Sequence, residues 1–144
     1  MTGAAIDLAP ARRPRLRRAR TAAGWVHLAL TALIVAGVFT QVYLIGAYIF
    51  GAGQEALDAH RSLGFTIHGL EVLVFVAALL AWLPRADVVL SLLLAVVGTG
   101  QIALAESQGW VGGLHPLGAL FVLALAALLT QRSLRRRGVS PSRL

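Results

Sequence analysis

His60-Arg-Ser-Leu-Gly64-Phe-Thr-Ile-His68-Gly-Leu-Glu71 opens an apolar run that ends at Pro84. At about 100° per helical residue, Gly64 falls about 40°, His68 about 80° and Glu71 about 20° round a helix from His60. The four share one narrow face, and the opposite face is Leu, Val, Ile and Phe. Ionisable groups are costly against lipid, so such a stripe must face other protein or a cavity. The stretch therefore reads as one span of a membrane bundle with a polar interior.

The rest of the chain agrees. Of 144 residues, 58% are hydrophobic, and the mean hydropathy is +0.77. That is too apolar for a soluble domain of this length and predicts one all-α, four-helix transmembrane domain over residues 23–131. The spans are placed at about 25–50, 60–83, 88–106 and 114–130, each long enough to cross a hydrocarbon core. Residues 1–22 and 132–144 are Arg-rich and lack apolar periodicity, which predicts two basic tails, the first without regular structure. The run after the first tail is too long for a signal-peptide core and lacks a small-residue cleavage site, so it is read as an uncleaved span.

Twelve of the 13 Arg lie in the two tails and the 84–87 turn, whereas Arg61, Glu55, Asp58 and Glu106 lie in or beside the other two connections. The positive-inside rule then places both termini in the cytoplasm of a cell with a multi-pass plasma-membrane protein. Trp25 and Trp82 mark the inner interface and Trp110 the outer one. The net charge of +7 is explained by this flanking, so no nucleic-acid partner is expected; the partners are the lipid bilayer, a redox or other membrane protein, or further copies of the chain. There is no cysteine, which excludes disulfides, thiolate metal sites and covalent haem attachment. No nucleophile elbow or phosphate loop is present, so hydrolase and ATPase activities are not expected.

The two halves look alike. Gln41-Val-Tyr-Leu-Ile-Gly, a connection and His60-Arg-Ser-Leu-Gly64 match Gln101-Ile-Ala-Leu-Ala, a connection and His115-Pro-Leu-Gly118. An alternative register lays His68 over His115. Either gives a 2+2 parallel repeat of helical hairpins about an axis along the membrane normal. In both, Gln41, Gln101, two or three histidines and Glu71 gather in the outer half of the bundle.

A b-type haem suits such a cluster, because a bundle can offer its iron imidazoles from different helices. His115 is one candidate ligand, and His60 or His68 the other; both cannot pair with His115 on one iron. Gly64 and Gly118 leave room for a porphyrin face, Gln41 and Gln101 can hydrogen-bond a ligand, and Arg61 can neutralise a propionate. Three other readings stand beside it. His68 and Glu71 form an i, i+3 pair suited to a proton relay or quinone site. Zinc at His60, His68, His115 and Glu71 fits by ligand type, but His60 and His68 lie about 12 Å apart along a helix. The third is a non-catalytic accessory bundle in which His60 and His115 are ordinary helix-start residues. His27 is isolated and is read as structural or interfacial.

The elements Phe39-Thr-Gln41-Val-Tyr-Leu-Ile-Gly46, His60 to His68 and Leu114-His115-Pro116-Leu-Gly118 resemble those of a family of small four-helix bacterial membrane proteins of unknown function. That resemblance covers about residues 25–130 and implies the four-helix fold but no activity. More distantly, a Gln on one helix followed by a His on the next, twice, is similar to haem A synthase and other haem-b membrane bundles. This resemblance implies haem held by His115 with His60 or His68. The chain matches about half of such a synthase and lacks its outer acidic residue and cysteines, so haem handling or electron transfer, rather than synthesis, is what it implies.

Overall fold

The computed structural model describes residues 13–138. The rest of both tails, with Arg12 and Arg143, lies outside them. Four long helices, α1 (Arg13–Ile49), α2 (Gln54–Leu80), α3 (Arg85–Ala105) and α5 (Leu114–Arg136), are joined by turns and a single helical turn, α4 (Gly109–Gly112). All four are long and apolar enough to cross a membrane.

The helices outrun the apolar segments. α1 begins at Arg13, not near Trp25, because Arg and Ala are strong helix formers and Pro14 sits in the first turn, where no amide donor is needed. The expected unstructured stretch up to residue 22 is therefore helical from Arg13 onward. α2 starts at Gln54, where Glu55 lies in the first turn beside the helix dipole. α5 runs on to Arg136, with Arg135 and Arg136 in its last turn. Hydropathy marks where lipid would be, whereas a helix ends where its backbone does.

Each long helix packs on two others in the cyclic order α1, α2, α3, α5, so α1 and α3, and α2 and α5, are diagonal. The core is Ile34, Val38, Ile67, Val74, Leu94, Val122, Ala126 and Leu129. Burial reveals the repeat. In the register that lays Gln41 on Gln101, the buried residues His27, Thr31, Ile34 and Val38 of α1 fall on the buried residues Asp87, Ser91, Leu94 and Gly98 of α3. With His60 on His115, the buried residues Ile67, Glu71, Val74 and Ala78 of α2 fall on Val122, Ala126, Leu129 and Ser133 of α5, all buried. The structure thus selects His60, not His68, as the counterpart of His115.

The bundle is tight at its arginine-rich end and open at the other. Beyond Val38, Ile67, Gly98 and Val122 toward the α1–α2 turn and α4, no helical residue is buried. Large apolar side chains cover the outside, as lipid contact requires. The α2–α3 turn closes with a Schellman pattern: the Trp82 amide donates to the Leu79 carbonyl at 3.0 Å and the Leu83 amide to Ala78 at 3.1 Å. Trp82 takes the left-handed position at φ 55°, which glycine usually fills.

Candidate functional site

The open end brings His60 and His115 together across the diagonal. Their ring centroids are 6.4 Å apart and their planes cross at 72°. Each ring is anchored from the preceding long helix. His60 Nδ1–H donates to the Gln41 backbone carbonyl at 3.2 Å, and His115 Nδ1–H donates to the Gln101 carbonyl at 3.2 Å. A carbonyl can only accept, so the proton sits on Nδ1 and the Nε2 lone pair is left for a ligand. This is how metal-binding imidazoles are commonly oriented.

The glutamine side chains complete the mouth. The Gln41 amide lies over Gly64, where a Cβ would come within 3.0 Å of Nε2. The Gln101 amide occupies the space a Cβ on Gly118 would need, so the room expected at Gly64 and Gly118 for a porphyrin face is taken up by the two glutamine side chains. Gln41 Oε1 and both polar atoms of the Gln101 amide are buried without a hydrogen-bond partner. Buried unpaired amide atoms are costly, so a polar group or water bound here would gain hydrogen bonds from them.

An imidazole nitrogen lies about 2.0–2.1 Å from a metal it binds, and ring bonds near 1.33 Å put it about 1.1 Å from its centroid. Two imidazoles on opposite sides of one metal thus have centroids about 6.3 Å apart. The separation of His60 and His115 matches this. Among the described residues, no group of three or more His, Asp or Glu is placed to hold a metal ion. Two imidazoles therefore suit a metal that brings its own equatorial ligands, as haem iron does, better than a bare zinc ion.

The other predicted residues fall elsewhere. Arg61 is exposed, 3.8 Å from Asp58, and is not brought to the pair. His68 lies two turns along α2 and its Nδ1 is 3.3 Å from Glu71 Oε2. The Glu71 side chain is 2% exposed and its carboxylate fills the space beside Gly98, leaving no room for a Cβ there. Gly98 precedes Gln101 by about one helical turn on α3, so this pair lies under the floor of the mouth.

A second polar cluster, at the arginine-rich end, was not legible residue by residue. His27 is fully buried but not isolated. Ser91 Oγ donates to the Asp87 carbonyl at 2.7 Å and so accepts from His27 Nε2–H at 3.1 Å. Ser133 Oγ accepts from Arg136 at 2.9 Å and can donate to His27 Nδ1 at 3.2 Å. The Asp87 carboxylate is bound by Arg132 and Arg136. Every member is paired, so the network locks α1, α3 and α5 and leaves no vacancy for a ligand. The signal for it was the repeat: the register that joins Gln41 and Gln101 also joins His27 to Asp87 and Thr31 to Ser91.

Comparison with protein families, curated proteins and solved structures yields no match.

Proposed function

We propose that this chain is a membrane protein that binds one b-type haem between His60 and His115, for electron transfer or haem handling. The observation that carries the reading is the facing pair of imidazoles, both held by Nδ1 and spaced for one shared metal. The unpaired Gln41 Oε1 and Gln101 amide atoms offer polar partners to a group bound at this end. His60 and His115 would hold the haem, which when bound would supply a one-electron couple. The chain's own part is to fix both rings, exclude water below the site and set the polarity around it.

The arginine distribution supports a plasma-membrane location with both termini in the cytoplasm, which puts the histidine mouth near the outer face. A second reading draws on the His68–Glu71 contact: a buried carboxyl beside an imidazole can exchange protons with a redox site above it, or with a quinone.

The test is an absorption spectrum of the purified chain, with and without added haem, oxidised and then reduced. A pyridine haemochrome assay accompanies it. A Soret and split α signature that is absent from both His60→Ala and His115→Ala supports the reading. A featureless spectrum after haem addition overturns it and leaves an accessory bundle.

A further inference from the structure

α1 carries a rigid basic extension beyond its apolar part. From Arg13 to Gly24 it runs about 18 Å past Trp25, and Arg17 and Arg18 on this segment are exposed. Arg17, Arg18, Thr21, Ala22 and Trp25 line a shallow groove. At its lower edge, the Arg137 guanidinium of the α5 end sits 4.3 Å from the centre of the Trp25 ring. Among the described residues, no carboxylate pairs with Arg17, Arg18 or Arg137; the acid at this end, Asp87, is held by Arg132 and Arg136. Among the described residues, the groove is cationic and uncompensated.

We propose that it holds the headgroup phosphate of an anionic phospholipid. Guanidinium groups bind phosphate oxygens through paired N–H donors, and Arg17 and Arg18 both line the groove. Trp25 lies where α1 passes from its arginine-rich segment to its apolar one, the place where interfacial aromatic residues are enriched. Below the groove the same face of α1 continues through Ala29 and Leu33, both exposed and apolar, as a track for an acyl chain. A free phosphate would need the arginines but not the track, which is why the lipid is the better occupant. The interface would anchor α1 to a charged leaflet and is independent of whether haem is bound.

The experiment purifies the full chain from mixed micelles of equal phosphatidylglycerol and phosphatidylcholine and counts retained lipids by native mass spectrometry. Retained phosphatidylglycerol should exceed phosphatidylcholine about tenfold. Arg17→Gln with Arg18→Gln should bring the ratio near one, while Arg135→Gln, an exposed arginine outside the groove, should leave it unchanged. Millimolar inorganic phosphate should not displace the lipid. Equal retention of both lipids by the unaltered chain, an equal loss in Arg135→Gln, or displacement by inorganic phosphate overturns the proposal. Circular dichroism confirms folding, and the single Arg18→Gln variant, read the same way, carries the test if the double variant unfolds.

Discussion

His60 and His115 face each other across the bundle diagonal with ring centroids 6.4 Å apart, each held at Nδ1 by the backbone carbonyl of a glutamine. Two helices that stand diagonally opposite in the bundle thus bring their histidines together at one end. The arrangement is symmetric, so each imidazole should contribute equally to a shared ligand.

Replacing one imidazole by a thioether tests this without emptying the site. His115→Met should still bind haem but with a higher midpoint potential, because Met/His ligation favours the reduced iron. His68→Ala should leave the spectrum unchanged, since His68 turns to Glu71. A potentiometric titration reads both; an unshifted potential in His115→Met, or a lost spectrum in His68→Ala, would contradict the ligand assignment.

Gly98 and Glu71 are size-matched. Gly98→Ala should destabilise the bundle by about 1–3 kcal/mol through overpacking against the carboxylate. Adding Glu71→Ala should recover much of that loss, with a coupling of about 0.5–3 kcal/mol in a double-mutant cycle. Gly100→Ala, where no atom lies within 4 Å of the new methyl, should stabilise by about 0.5–1 kcal/mol. Unfolding in mixed detergent measures all four variants, and additive effects at Gly98 and Glu71 would refute the contact.

The Asp87 network should behave as a lock. Asp87→Asn leaves Arg132 and Arg136 without a counter-charge against a fully buried position, at a cost of about 3 kcal/mol. The figure lies at the low end of the range for buried pairs because both arginines are partly exposed. Haem binding at the far end should survive. Unchanged thermal stability would show that the ion pairs contribute nothing net.

Trp82 pays a conformational cost at φ 55°. Trp82→Gly and Trp82→Ala both lose the Arg20 guanidinium that stacks 4.6 Å from the ring centre. They differ in the left-handed backbone, so the Gly variant should be the more stable by about 1 kcal/mol. Equal melting of the two would mean that the turn relaxes freely.

Orientation is accessible because the chain has no cysteine. Gln108→Cys should react with a membrane-impermeant maleimide added to intact cells, and Arg135→Cys only after lysis. The opposite pattern would invert the topology and move the histidine mouth to the cytoplasmic side.

The number and approximate position of the spans were legible because hydrophobic length is a local property of the chain. Gln41, Gln101, His60 and His115 were also legible, as polar residues recurring in runs that should be apolar. The choice between His60 and His68 was not: both lie on one face of α2, and only the depth at which α2 docks on α1 sets His60 beside the Gln41 carbonyl and opposite His115. His27 looked isolated for the same reason. Its partners Ser91 and Ser133 are distant in sequence, and helix packing alone brings three helices to one buried imidazole. Sequence by itself determined which segments are apolar enough to span a membrane; tertiary structure decided which polar groups meet, because contact between helices depends on register and rotation that no single segment encodes.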